Sequence, residues 1–230
     1  MRQAGAANRH FREELMNLGL AQFTQDNYNR WRGFMDLTQM ADDRRKEFED
    51  EATMLVAVKK DLAEWNERGL LNLERPIASS SARNNCAEAK AANVDDAGGL
   101  YNQLFFAKGS KVILTNNFWC EAGLVNGSQG TVEYIIYKEG SDPVAEDTMP
   151  DLLLVNFPGY LGPSYLTQEA NIVPIVPWET DWLVRDKNGG MRRLTRQQFP
   201  LIYGYALTIH KAQGTTHHHL LFNVNHLFHL

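Results

Sequence analysis

Short apolar runs broken by turn residues are the strongest constraint on how this chain can fold. TMLVAV (53–58), KVILT (111–115), TVEYIIY (131–137), DLLLVNF (151–157) and IVPIV (172–176) all have strand length. None approaches the roughly 20 apolar residues that a membrane helix needs. The first run leads into Val58, Leu62 and Trp65 at helical spacing, with Gly69 as the expected stop. Such a strand–helix unit is the building block of a parallel sheet. The later runs lie among hairpin signals. Asn126-Gly127 and Asn188-Gly189 pair residues that tolerate positive φ. Pro174 places the last run at a sheet edge, because proline donates no hydrogen bond to a ladder. Strands this closely spaced, from 130 to 200, predict a small β-barrel or sandwich.

The N-terminal stretch reads as helical. Phe11, Leu15 and Leu18 recur at helical spacing, and Thr24 is an expected N-cap before Tyr28, Trp31 and Met35. Residues 41–51, ADDRRKEFEDE, predict a solvated charged helix. Residues 76–98 are small and polar and predict an exposed excursion. With 230 residues, 43% hydrophobic and 22% charged, the chain has the composition of a globular protein with a core. Two cysteines, Cys86 and Cys120, build no disulfide framework, which points to a reducing, intracellular compartment. The N-terminus has no secretory signal. A net charge of −5 means that any nucleic-acid contact must use local basic patches.

No G-x-x-x-x-G-K-[ST] loop is present, and Gly109-Ser110-Lys111 has the wrong spacing to cradle phosphates. No apolar run ends in Asp-Glu. Three stretches carry chemistry. YALTIHKAQG (205–214) places Thr208, His210, Lys211 and Gln213 on one turn, a set suited to a phosphate backbone and equally readable as a polar loop. GSKVILTNNFWCEAGLVNGSQG (109–130) offers Asn116, Asn117 and Trp119 for hydrogen bonding and stacking, or simply a tryptophan beside a turn. Arg185, Lys187, Arg192, Arg193 and Arg196 form the one dense basic stretch, around a hairpin signal. The histidine-rich tail has no cysteine or carboxylate to make a metal site, and none is expected.

Taken together, G-x-K-V-I-L-T-x-N-x-W…G-L-V-N-G-x-x-G-T-V, a β-rich segment and Q-F-P-L-x-x-x-Y-A-L-T-I-H-K-A-Q-G resemble the second motor domain of the Pif-type, RecD-like DNA helicases of superfamily 1. Residues 198–214 resemble that family's motif V, and the resemblance covers residues 1–215. It implies that Thr115, Asn116, Asn117, Thr208, His210 and Lys211 contact single-stranded DNA; Trp119, by stacking, and Arg192 and Arg193, from the basic stretch, are expected to join them. It also implies that Met1-Arg2-Gln3 is the end of an aromatic-Arg-Gln motif. Arg2 would then approach the ATP γ-phosphate as a catalytic residue, with Gln3, Gln213 and Gly214 at the nucleotide. The implied cofactors are ATP and Mg²⁺, held jointly with a first motor domain that these 230 residues do not include. The family's terminal Ser-Arg motif, whose arginine touches the γ-phosphate, is replaced by HHHLLFNVNHLFHL, read as an altered end.

The expected fold is α/β. A partial RecA-like parallel sheet, from the 53–58, 76–79, 111–115 and 205–209 regions with flanking helices, is interrupted by a small β-barrel insertion. The expected divisions are 1–75, helices and the start of the motor domain; 76–130, its continuation with a DNA-facing loop; 131–200, the barrel; 201–216, strand and motif V; and 217–230, a divergent tail. The implied function is ATP-dependent 5′-to-3′ DNA unwinding, with the family's roles in repair, recombination and telomere-type processes. Nucleus or mitochondrion follows from the family; the sequence holds no address. Without a phosphate loop the chain alone is expected to be inactive as an ATPase. The alternatives are a non-catalytic DNA-binding or interaction module, and an inactive truncated product.

Overall fold

The computed structural model describes residues 9–20, 22, 24–27, 29, 40–141, 149–185, 189–213, 215, 217 and 219–222. Two units are distinguished, Met1–Glu51 and Ala52–Leu230. The first contains helices α1 (Arg9–Gly19) and α2 (Asp42–Glu51). The Asn27 N–H donates to Thr24 Oγ1 at 3.3 Å, the bond expected of an N-cap. Tyr28, Trp31 and Met35 lie outside the described residues.

The second unit opens with the expected strand–helix pair, β1 (Thr53–Val56) and α3 (Lys59–Leu71). Gly69 does not stop the helix, which runs on to an Asn72 cap. The glycine is needed for packing instead, since a Cβ there would lie 2.4 Å from the Tyr205 ring.

The chain continues through β2 (Ala78–Ser81), β3 (Arg83–Asn84), α4 (Ala87–Ala91), β4 (Gln103–Phe106), β5 (Lys111–Leu114) and β6 (Gln129–Ile136). It then forms β7 (Leu152–Asn156), β8 (Ile172–Ile175), β9 (Trp178–Arg185), β10 (Met191–Gln198) and β11 (Leu201–Tyr203). Last come β12 (Ala206–Thr208), α5 (Ile209–Ala212) and β13 (Leu220–Phe222).

A parallel sheet exists, in the order β12-β1-β13, with Met54 opposite Ala206 on one side and Leu221 on the other. Alternation along β1 covers both faces. Met54 and Val56 pack with Leu62 and Trp65 of α3, while Leu55 and Leu207 pack toward Ile113, Ile202 and Tyr101.

The expected strand membership needs correction. The 76–79 region leads into β2, which pairs antiparallel with β4, and 111–115 supplies β5 of an antiparallel sheet ordered β11-β5-β6-β7-β8. Lys111 pairs with Thr131 because the 115–128 connection simply turns the chain back; a parallel neighbour would need a crossover. The third parallel strand is β13, taken from the stretch expected to be a divergent tail.

Among the described residues no ladder joins β11 to β8, so the five-stranded sheet is open rather than a closed barrel. Pro174 lies on β8, an edge strand, as expected. The core of this region joins Val112, Leu114, Val132 and Val155 to Phe106 and Phe199. A third sheet, β3-β10-β9, pairs β9 and β10 antiparallel with Met191 opposite Arg185, and Asn188 of the expected Asn188-Gly189 turn lies outside the described residues. Residues 76–98 are not merely an exposed excursion. Ser80, Ala89 and Ala97 are fully buried, and Ser80 exchanges hydrogen bonds with the buried Gln198 side chain at 2.9 and 2.8 Å. No helix among the described residues is long and apolar enough to cross a membrane.

Candidate nucleic-acid interface

β12 ends at Thr208, whose hydroxyl accepts from the Lys211 N–H at 3.3 Å and caps α5. The cap turns the chain sharply at the carboxyl end of a parallel strand, where open α/β sheets present their working loops. Thr208 is half-buried, and His210 and Lys211 are exposed. Lys211 forms no ion pair among the described residues, so its charge is available. All three line a cavity of about 1250 Å³. One wall is α3; the opposite wall is the 93–101 segment with Tyr203.

The Ala206 backbone faces the same cavity, and Asn66 of α3 satisfies it. Ala206 N–H donates to Asn66 Oδ1 at 2.9 Å, and Asn66 Nδ2 donates to Ala206 O at 3.4 Å. One side-chain amide thus replaces a neighbouring strand at the sheet edge.

The 115–119 loop follows β5. Thr115 is buried, with its N–H donating to Pro200 O at 2.9 Å and its hydroxyl turned to Asn116 at 3.4 Å. Asn117 Oδ1 accepts from Asn126 N–H at 2.8 Å and holds the loop against the Gly127 turn. The aromatic groups remain outside. Trp119 is 46% exposed with Tyr160 at its edge, and Phe118 is 41% exposed, edge-on to the equally exposed Trp178 at 5.7 Å. Gly99 connects this loop with the cavity, which it lines; a Cβ there would sit 4.0 Å from Thr115 Cβ.

The basic stretch is not one patch. Arg196 is fully buried. Its guanidinium donates to Asn84 Oδ1 and to the carbonyls of Leu100, Ala89, Lys90 and Ala92. It therefore closes the unpaired carbonyl end of α4 and has no donor to offer a ligand. Burial lowers its pKa from the ordinary arginine value. Arg192 pairs with Glu88, and Arg193 with Asp181 at 3.1 Å. Both are half-exposed or more, so these pairs are weak and open to exchange with a phosphate. Arg185 is exposed, and Lys187 lies outside the described residues.

The fold thus gathers Thr208, His210, Lys211 and, across one wall, the 115–119 loop, while Arg192 and Arg193 are tied to α4 and β9. Of the residues expected at a nucleotide, Arg2, Gln3 and Gly214 lie outside the described residues. Gln213 is exposed, with its N–H bonded to His210 O at 3.3 Å. Among the described residues no group of three or more His, Cys, Asp or Glu is arranged to hold a metal ion. The cavity, its tyrosines and the Phe118–Trp178 pair are absent from the sequence reading. Of this group only Trp119 was marked in the sequence; the neighbouring Phe118 was not.

His217 continues the 208–213 turn. Gln129 Nε2 donates to His217 Nδ1 at 2.5 Å, the opposite ring nitrogen meets Thr215 Oγ1 at 2.8 Å, and that hydroxyl donates to Ala212 O at 2.7 Å. The relay ties the end of α5 to β6. It requires a neutral imidazole, and burial pushes the His217 pKa down.

No family model matches the chain. The ATP-dependent DNA helicase Pif1 of Campylobacter jejuni is 24% identical over 187 residues, covering 78% of this chain and 38% of the relative. Among solved structures, Pif1 helicase from Candida albicans matches 96% of this chain and 49% of its own length, at TM-score 0.65 and 21% identity. Pif1 from a Bacteroides species in complex with ADP-AlF4 matches 99% of this chain and 45% of its own, at TM-score 0.64 and 18% identity. Bacteroides Pif1 bound to ssDNA matches 98% and 44%, at TM-score 0.62 and 18% identity. The chain spans less than half the length of these relatives. Its fold is that of part of the Pif1 helicases, and its sequence resembles theirs.

Proposed function

We propose that this chain works as the second motor domain of an ATP-dependent 5′-to-3′ DNA helicase. In this reading it holds single-stranded DNA and forms one side of an ATP cleft completed by a first motor domain. The observation that carries the reading is the Thr208–Lys211 turn. A cap, an imidazole and an ammonium with no ion pair among the described residues stand at the carboxyl end of β12, and the aromatic 115–119 loop lies behind the cavity lining at Gly99. Lys211 and the Thr208 hydroxyl suit phosphate oxygens; Trp119 and Phe118 suit base faces. The open five-stranded sheet stands in for the small barrel that the family resemblance implies.

ATP with Mg²⁺ supplies phosphoryl hydrolysis when bound, and the resemblance puts Arg2, Gln3, Gln213 and Gly214 beside it. The phosphate loop and metal ligands that this chemistry needs are absent from these 230 residues. Nuclear or mitochondrial work in DNA repair or recombination goes with the same reading.

Fluorescence anisotropy with a labelled single strand tests it. Binding is expected to weaken as salt rises. Lys211→Ala is expected to weaken binding across sequences and to lower the salt slope by about 1. An unchanged slope refutes the assigned contact. ATP hydrolysis by the isolated chain on adding single-stranded DNA would refute the assignment of phosphate chemistry to another domain. Strand binding that never alters the ATPase of a first motor domain supplied in trans would leave the non-catalytic module.

A further inference from the structure

His217 sits where two loops meet, and its hydrogen bonds fix its protonation state. The Thr215 hydroxyl has one proton and gives it to Ala212 O at 2.7 Å. Toward the ring, at 2.8 Å, that oxygen can only accept, so His217 Nε2 carries the ring proton. Nδ1 is then a bare acceptor, and Gln129 Nε2 donates to it at 2.5 Å. The ring is half-buried, and burial alone pushes its pKa down, with no charged neighbour contributing among the described residues. Of the elements packed against it, β6 meets it with Gln129, α5 carries the exposed His210 and Lys211, and the half-buried His219 lies two residues on.

Packing supports the same junction. Gly127 has φ +95°, and a Cβ there would lie 2.9 Å from Thr215 Cγ2, so the two loops meet closely. From the Gly127 turn the connection runs on. Gly127 N–H donates to Leu114 O at 2.8 Å, and Asn126 N–H to Asn117 Oδ1 at 2.8 Å. At its other end the relay reaches Ala212, the last residue of α5, next to Lys211. One imidazole thus links the Lys211 turn to the 115–119 loop.

We propose that His217 is a positioning residue: its neutral ring latches the end of α5 to the Gly127 turn, and a proton on Nδ1 releases the latch, so that pH sets how firmly Lys211 is held relative to the 115–119 loop. A protonated Nδ1 points a donor at the Gln129 donor, and the attraction is lost. That the latched turn serves a DNA strand rests on the single-strand reading above; the latch itself is tested without DNA.

Hydrogen exchange of the Gln213 and Thr215 amides reports the latch, because they close the end of α5 on His210 O and Ala212 O. After correction for the intrinsic rate, their protection in the 230-residue chain is expected to fall about fivefold from about pH 7.5 to about pH 5, the worth of one hydrogen bond. Gln129→Glu sets a carboxylate against Nδ1 and favours the protonated ring, so there the fall should vanish or reverse. His217→Phe keeps a planar ring without its nitrogens, and protection should be low and flat with pH. Gln129→Leu removes the same bond from β6 and repeats the test should the ring variant fail to fold. Anisotropy with a labelled single strand at about pH 7.5 is expected to show about threefold weaker binding by His217→Phe. A flat native profile overturns the proposal, since the Gln129 amide then turns over and keeps the relay closed. So does a fall that persists in His217→Phe or Gln129→Leu, or a Gln129→Glu profile parallel to the native one. Exchange profiles as expected, with latched and unlatched chains binding the strand alike, overturn the positioning role. A native chain that never binds the strand overturns the single-strand reading alone; the exchange profiles still decide the latch.

Discussion

Removing the buried guanidinium of Arg196 should destabilise the 52–230 unit by about 3 kcal/mol. The side chain has no exposure and donates to one side-chain amide and four carbonyls. Arg196→Met keeps the bulk and removes every donor. The carbonyl of Leu100, 2.9 Å from the guanidinium, then lies buried without that partner, and that of Ala92, also at 2.9 Å, is left half-buried without it. Each stranded acceptor costs about 1–3 kcal/mol, and relief from burying a charge offsets part of the sum. With a urea m-value of about 2 kcal/mol/M, 3 kcal/mol moves the unfolding midpoint down by about 1.5 M. The assay is urea titration followed by the fluorescence of Trp119, Trp178 and Trp182, with hydrogen exchange of the 87–100 amides as a local readout. Arg196→Lys should recover less than half of the loss, because one ammonium cannot span acceptors spread over α4 and Leu100. A midpoint shift under about 0.3 M for Arg196→Met, at unchanged m, would refute the reasoning.

Gly69→Ala should destabilise by about 1–3 kcal/mol despite its gain in helix propensity, since the new methyl meets the Tyr205 ring at 2.4 Å; thermal denaturation checks the sign. Asn66→Ala should cost about 1–3 kcal/mol by unpairing both backbone groups of Ala206, seen as faster exchange of the Ala206 amide. For His217 the folded pKa lies below the unfolded one, so its contribution is full above the unfolded value of 6.5 and is lost as pH falls through the folded one. Stability measured between pH 7.5 and 5 should therefore decline on the acid side, and less steeply in His217→Gln; parallel profiles would exclude the relay.

The strands of the second half are legible because each buries one face or both. Branched residues at 111–115, 131–137, 151–157 and 172–176 mark them whatever their partners. Pro174 shows its edge position for an equally local reason: it lacks an N–H. The 53–58 strand and its helix are legible by the switch from one period to the other. The turn at 205–214 is legible as chemistry, since hydroxyl, imidazole and ammonium groups at that spacing depend on no distant segment. Resemblance to a helicase motor domain added the order of the motifs along the chain.

Other features belong to contacts that sequence order conceals. Gly69 looks like a helix stop until Tyr205, more than a hundred residues away, is seen to occupy the space a side chain would need. Arg196 looks like part of a basic surface, yet it is the buried plug of a short helix that a separate segment brings to it. Ser80 and Gln198 look solvated singly and are buried together. What the sequence determined by itself was local: which segments extend, which coil, and which turn carries hydroxyl, imidazole and ammonium groups, because propensity and alternation act over a few residues. Only the tertiary structure decided which strands share a sheet, which charges stay outside and where a cavity opens, because pairing and burial join residues far apart in the chain.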